Sequence, residues 1–233
     1  MSVYKTQKSV THGELYPRIL DIEVCSKALT LYQKLEGDVS CVVWDASIVL
    51  SKYLEVKSQK TENLLNGLKI LELGAGVGCV GLTAATLGAE VILTDLPDTL
   101  PLLRCNITEN KGILGSQGGF ATSESLSWGD IDSDIIKDMT FDYVVMADCV
   151  YYEESIDPLM LTICHINQSV PHKPKLLIAQ ELRDSDVQKT LWKTFYEKLE
   201  QSYHITEVPP SEQHPQYFSD DILILECTRK EET

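Results

Sequence analysis

The sequence predicts an α/β fold with a doubly wound sheet of seven strands, mostly parallel, and a small N-terminal cap. From about Leu68 onward, short apolar runs rich in β-branched residues alternate with amphipathic stretches. Strands that alternate with helices form a parallel sheet with helices on both faces. The last two apolar runs have no helical pattern between them, which predicts a C-terminal hairpin and one antiparallel strand.

The N-terminal third is predicted to cap the sheet. Arg18–Ile22 and Ala28–Gln33 have the length and composition of a small hairpin. In Val42–Leu54 the apolar residues recur at helical spacing, which predicts a helix. Lys57–Asn63 is polar and is predicted to be a loop.

The remaining strands and helices alternate along the core. The predicted strands are Leu68–Leu73, Glu90–Thr94, Phe120–Thr122, Phe141–Ala147, Lys175–Gln180, His204–Val208 and Asp221–Cys227. The predicted helices are Val77–Thr86, Leu100–Lys111, Ile156–Asn167 and Val187–Gln201. The pattern is Rossmann-like. We expect one domain over residues 1–233, with hairpin and cap helix in 1–66 and the core in 67–233.

Composition narrows the class of protein. Twenty basic against 35 acidic side chains give a formal net charge of −15, which disfavours a protein that binds nucleic acid. The charge either attracts a cationic partner or only keeps the protein in solution. The seven cysteines are scattered singly, as in a cytosolic or nuclear protein with reduced thiols. Neither a membrane-spanning run nor a secretory signal is visible, and the five histidines show no metal-ligand spacing.

The sharpest motif is Glu72-Leu-Gly74-Ala-Gly76-Val-Gly78, between a predicted strand and a predicted helix. Glycine lets the backbone approach a ligand, and a helix N-terminus offers free N–H groups. Asp95, at the end of the next strand, is placed to accept the hydroxyls of a ribose. A tight turn without a ligand is the alternative.

The glycines alone do not separate NAD from S-adenosylmethionine. Gly76-Val-Gly78-Cys-Val-Gly81 formally matches the dinucleotide fingerprint, with Asp95 at a suitable distance. However, the fingerprint expects its first glycine at the strand end, and a motif read from Gly74 lacks the third glycine. The pattern E-x-G-x-G-x-G, with the acid Glu72 inside the strand, resembles motif I of seven-β-strand methyltransferases.

A second constellation follows the fourth strand of the core. Asp148 and Tyr151 come directly after Ala147, where doubly wound sheets bind ligands. Their alternative role is a helix cap and a packed ring. Trp128, after the third strand, and Trp44, in the cap, either close a ligand site or fill the core.

Four segments together resemble the seven-β-strand protein-lysine methyltransferases of the methyltransferase-like group. They are VVWDASIVLSKYLE, LELGAGVGCVGLTAATLGAEVILTDL, NITEN and MADCVYYEES, and the likeness runs from about Ala28 to Arg229. The resemblance implies that S-adenosylmethionine is bound by Trp44, Glu72, Gly74, Ala75, Gly76, Asp95, Trp128 and Ala147. It implies catalytic roles for Asp148 and Tyr151, and substrate contacts from Tyr152 and Glu181, the latter in a Glu-x-Arg segment with Arg183.

The resemblance further implies transfer of methyl groups to a lysine amine of a protein substrate, such as valosin-containing protein or another chaperone. We expect a cytoplasmic monomer that uses no metal and binds neither nucleic acid nor membrane. The competing hypotheses are a small-molecule amine methyltransferase, an NAD-dependent oxidoreductase, an adenine methyltransferase of nucleic acid and a non-enzymatic binding module. Asp148-Cys-Val-Tyr151 lacks the two prolines of an adenine methyltransferase motif.

Overall fold

The computed structural model describes residues 15–169 and 173–231. Within them, strands form a two-stranded sheet, β1-β2, and a seven-stranded sheet of order β5-β4-β3-β6-β7-β9-β8. The strands are β1 Leu15–Ile22, β2 Lys27–Lys34, β3 Lys69–Leu73, β4 Glu90–Asp95, β5 Phe120–Ser125, β6 Tyr143–Ala147, β7 Lys175–Glu181, β8 Tyr203–Glu207 and β9 Ile222–Arg229. The helices are α1 Asp45–Lys60, α2 Cys79–Thr86, α3 Leu100–Leu114, α4 Asp134–Asp138, α5 Glu153–Ser169 and α6 Asp186–Ser202.

The large sheet confirms the predicted α/β architecture. Its strands pair in parallel except β9, which lies antiparallel between β7 and β8. The chain runs outward from β3 to β4 and β5 in one direction and resumes at β6 on the other side of β3. This reversal of strand order places a crevice at the carboxyl ends of β3 and β6, where such sheets bind ligands.

Alternate residues of the strands face two separate apolar clusters. Ile70 and Val145 pack with residues of α1, α2 and α3 on one face. Leu71 and Val144, their chain neighbours, pack with residues of α4, α5 and α6 on the other. Burial on both faces explains why these strands read as continuous apolar runs.

The N-terminal hairpin docks on α3 through two buried asparagines. Asn110 exchanges two hydrogen bonds with the backbone of Thr30, at 2.9 and 2.8 Å, and Asn106 does the same with Tyr32, at 2.8 and 3.1 Å. These bonds satisfy backbone groups of β2 that lack a strand partner on that side. They fix the cap, and with it the segment between β2 and α1, over the carboxyl edge of the sheet.

Some local predictions need correction. The polar stretch Lys57–Asn63 is not all loop, because α1 continues to Lys60. Lys57 pairs with Glu226 of β9, and Tyr53 donates a 2.8 Å hydrogen bond to the same carboxylate, so a contact distant in sequence extends the helix. The second helix begins at Cys79 rather than Val77, and the short helix α4 was not predicted.

Within the described ranges, no helix is both long and apolar enough to cross a membrane.

Candidate active site

A cavity of about 360 Å³ lies at the carboxyl ends of β3, β4 and β6. This volume falls in the range of about 300–1,000 Å³ that is usual for small-molecule sites. All the residues predicted to bind a cofactor line it: Trp44, Glu72, Gly74, Ala75, Gly76, Asp95, Trp128 and Ala147. The structure thus brings these side chains together, and their contact with a cofactor stays a prediction.

The glycine turn forms one wall of the cavity. Gly74 and Gly76 have φ angles of +64° and +55°, in the left-handed region that favours glycine. A Cβ on Gly74 would lie 3.0 Å from the ring of Trp128, so the absence of a side chain also lets that indole approach. Ala75, between them, donates its N–H to Thr94 of β4 at 2.9 Å, which ties the turn to the neighbouring strand.

Asp95 closes the turn from the end of β4. Its carboxylate accepts the N–H of Gly76 and the N–H of Leu96, both at 2.7 Å. Burial raises the pKa of Asp95, and these two hydrogen bonds oppose the rise. Two carboxylate oxygens offer about four acceptor sites. Asp95 therefore orients the glycine turn and still has lone pairs for a ligand in the cavity.

Glu72 is almost entirely buried beneath the turn, with 2% of its surface exposed. Its Oε2 accepts the N–H of Gly81, in the first turn of α2, at 2.9 Å. Burial raises the pKa of Glu72 to about 8, against this hydrogen bond. At neutral pH the side chain is therefore mostly a neutral carboxylic acid, which is able to donate a hydrogen bond as well as accept one.

The two predicted tryptophans border the cavity from different elements. Trp128 lies against Gly74 and packs partly into the apolar cluster beneath α5. Trp44 is the N-cap residue of α1, and its Nε1–H donates to the carbonyl of Val39 at 2.8 Å. Because Trp44 remains 39% exposed, its ring is a wall of the cavity rather than part of the core.

A second cavity of about 220 Å³ adjoins the first. The two share a wall formed by Trp44, Asp148, Tyr151 and Tyr152, together with Val39. The predicted Asp148–Tyr151 pair is therefore brought to the boundary between two spaces. The rings of Tyr151 and Tyr152 meet edge to face at 4.6 Å between centroids. Burial raises the pKa of Tyr151 well above its usual range, so its phenol stays protonated.

Asp148 is held by a network of hydrogen bonds that the sequence did not predict. Its Oδ1 accepts from Gln180 at 2.8 Å and from Arg183 Nη1 at 3.0 Å, and its Oδ2 accepts from Arg183 Nη2. Asp148 has a φ of +55°, a conformation uncommon outside glycine in which Asp is enriched. Such backbone geometry persists where surrounding contacts enforce it.

Glu181 does not line either cavity and reaches the site through Arg183, which donates to its Oε2 at 3.2 Å. Residues 38–42, which precede Trp44, were not predicted to belong to the site, yet they supply Asp38, Val39, Ser40 and Val42 to the first cavity. Gln188 of α6, which lines the second, was not predicted either. In the ranges 15–169 and 173–231, no three His, Cys, Asp or Glu side chains form a metal cluster, and His12 and His172 lie outside them.

The model of one known family, lysine methyltransferase, matches residues 24–202. Protein N-lysine methyltransferase METTL21A of Danio rerio is 40% identical over 129 residues, which make up 55% of this chain and 56% of that protein. The match thus spans just over half the length of this relative. EEF1A lysine methyltransferase 3 of Mus musculus is 32% identical over 211 residues, 82% of this chain and 84% of that protein.

A solved structure shares the fold at lower identity. The 16S rRNA N2 G1207 methyltransferase RsmC of T. Thermophilus, solved in complex with AdoMet and guanosine, superposes with a TM-score of 0.56 at 16% identity. The superposition covers 93% of this chain and 51% of that one. Because the family model matches most of the chain and the mouse relative aligns over four fifths of it, the chain belongs to the lysine methyltransferase family.

Proposed function

We propose that this protein transfers a methyl group from S-adenosylmethionine to the side-chain amine of a lysine in a protein substrate. The observation that carries the proposal is the pair of adjoining cavities that share Asp148 and Tyr151. The first cavity lies at the glycine turn and suits a cofactor. The second, called the acceptor cavity from here on, suits a narrow acceptor side chain. Membership of the lysine methyltransferase family supports the same reaction.

The residues of the larger cavity fit this cofactor. Gly74 lets Trp128 approach the turn and Gly76 lets Ser40 approach it, so both sides of the cavity come close to the glycine turn, and Asp95 keeps acceptor sites for ribose hydroxyls. The apolar faces of Trp128 and Ala147 suit an adenine and an aliphatic chain. We propose that Trp44 closes this cavity from the cap, and that Glu72, mostly protonated, lies behind the turn.

When bound, S-adenosylmethionine would supply an electrophilic methyl group on its sulfonium for transfer to the acceptor nitrogen, with the sulfur as the leaving group. Asp148 and Tyr151 then act at the acceptor nitrogen, because both border the two cavities. The protonated Tyr151 can donate a hydrogen bond, and its ring excludes water. Holding two reactants in line contributes about 7–11 kcal/mol to lowering such a barrier, so positioning is the main catalytic effect proposed.

The acidic surface supports a basic partner. With a formal net charge of −15, the protein attracts segments of a substrate that are rich in lysine or arginine. We propose valosin-containing protein or another chaperone as the substrate, with Tyr152 and Glu181 contacting it. Tyr152 is half exposed beside the second cavity, in a position to meet an incoming chain. We further propose a cytoplasmic monomer that binds neither nucleic acid nor membrane.

The test is transfer of a labelled methyl group from S-adenosylmethionine to purified valosin-containing protein, to EEF1A and to proteins of a cell lysate. We expect protein bands labelled by the wild-type chain and not by Asp148→Asn, with cofactor binding retained. Asp184→Asn, which changes an exposed acid paired with Lys189, is the matched control and should label as the wild type does. Label found in small molecules alone would overturn the choice of a protein substrate. Stabilisation of the fold by NAD and not by S-adenosylhomocysteine would overturn the reaction.

A further inference from the structure

Arg183 lines the acceptor cavity beside Asp148 and binds two carboxylates, Asp148 just after β6 and Glu181 at the end of β7. Its guanidinium binds both oxygens of Asp148 and also Glu181, and it lies over the ring of Trp44, with 5.5 Å from Cζ to the ring centroid. It lines the second cavity, and it is absent from the wall of the first. Arg183 is therefore the positive charge nearest to the path of an acceptor amine among the residues described as lining that cavity.

This arrangement bears on a chemical requirement of methyl transfer. The lone pair of the amine must be free to attack, but a lysine with a pKa of about 10.4 is protonated in neutral water. A bare carboxylate beside the amine would raise that pKa further and oppose the reaction. Asp148, 7% exposed and at the wall of both cavities, would have this effect if it were unpaired.

We propose that Arg183 is a positioning residue that neutralises Asp148 at the wall of the acceptor cavity, so that the acceptor lysine enters as the neutral amine. The inference rests on the proposed lysine methylation. The lysine gives its proton to water before transfer, and the amine then approaches a carboxylate already satisfied by three hydrogen bonds. Asp148 accordingly positions the acceptor nitrogen and does not act as the base.

Other charged and titratable groups face this region and enter the pH dependence. They are Glu181 at the end of β7, the phenols of Tyr151 and Tyr152, Asp38 before α1, Asp95 at the end of β4, Cys149 after β6 and Glu154 at the start of α5. The acids among them attract a protonated amine, and Arg183 opposes them. Burial and the surrounding acids hold the pKa of Cys149 well above its usual range, so its thiol is neutral.

The test is the pH dependence of kcat, measured at saturating protein substrate, for labelled methyl transfer to whichever of valosin-containing protein, EEF1A or a lysate protein the wild-type chain labels, because kcat reports the pKa of the bound amine. Arg183→Gln should shift the acidic limb of the profile to higher pH by about one unit, a tenfold loss on that limb and little loss on the plateau. Arg183→Lys keeps the charge and should restore the position of the limb. Glu181→Gln removes a negative charge and should shift the limb to lower pH.

Two controls separate the outcomes. Lys189→Gln removes a positive charge from the exposed face of α6, where Lys189 pairs with Asp184, and should leave the profile unchanged. Calorimetry with S-adenosylhomocysteine reports folding. If Arg183→Gln fails to bind S-adenosylhomocysteine, the role of Arg183 is decided by the opposite shift in Glu181→Gln and by the pH profile of Arg183→Lys.

An equal loss at every pH in Arg183→Gln, or an upward shift in Glu181→Gln, would overturn the role of Arg183 and leave the methyltransferase proposal standing. A wild-type chain that labels no protein would overturn both proposals together.

Discussion

Replacing Glu72 with glutamine is expected to change how the stability of the protein depends on pH. Glu72 is buried, and its pKa is raised from 4.5 to about 8 in the folded state. Between these values the folded chain keeps a proton that the unfolded chain has lost. The contribution of Glu72 is therefore fully present below pH 4.5 and is lost as the pH rises toward 8.

The size of the effect follows from the separation of the two pKa values. Each pH unit between them costs about 1.4 kcal/mol of unfolding free energy, so a change from about pH 5.5 to 7.5 costs about 2–3 kcal/mol. Glutamine keeps an oxygen that can accept the N–H of Gly81 and has no proton to lose. The variant should lose this part of the pH dependence.

Urea unfolding at several pH values measures the difference directly. The wild-type curve should fall more steeply than that of Glu72→Gln, because the remaining titrating groups are common to both proteins. Glu36→Gln, which alters an exposed carboxylate between the hairpin and α1, should follow the wild type. Parallel curves for the wild type and Glu72→Gln would show that Glu72 does not hold a proton in the folded chain.

Two predictions concern the cofactor. Asp95→Ala should weaken binding of S-adenosylhomocysteine by up to about 1.5–3 kcal/mol for each hydrogen bond lost to a ribose hydroxyl. Asp98→Ala, which changes an exposed acid in the turn that follows, should leave the affinity unchanged. Calorimetry measures both, and unchanged affinity in Asp95→Ala would exclude Asp95 as a ligand of the ribose. Quenching of tryptophan fluorescence by the cofactor should decrease in Trp128→Phe and in Trp44→Phe, and quenching that survives both changes would show that neither ring borders the bound cofactor.

Much of the site could be predicted because its residues directly follow apolar strands. Gly74, Asp95 and Asp148 each stand at or just beyond the end of a strand, and the carboxyl ends of parallel strands meet at one edge of a sheet. Local sequence therefore placed them together even though the order of the strands was not predicted. The choice between NAD and S-adenosylmethionine as the expected cofactor depended on the positions of the glycines relative to the strand end as well as on their number.

The remaining features depend on contacts between distant parts of the chain. Residues 38–42 reach the cavity because the hairpin docks on Asn106 and Asn110, and no periodicity within those residues signals this. Arg183 was noted within a Glu-x-Arg segment, but its pairing with Asp148 depends on β6 and β7 being neighbours. Likewise α1 is longer than its own polar end suggests because Lys57 binds β9.

We propose that the acceptor atom is the side-chain nitrogen of a lysine in a protein. The most direct measurement is tandem mass spectrometry of valosin-containing protein, EEF1A and lysate proteins after incubation with the wild-type chain and S-adenosylmethionine, beside Asp148→Asn. We predict added methyl groups on lysine residues in the wild-type reaction and none above background with the variant. Methyl groups on any other residue type would exclude lysine as the acceptor, and equal lysine methylation by both proteins would exclude Asp148 from the reaction.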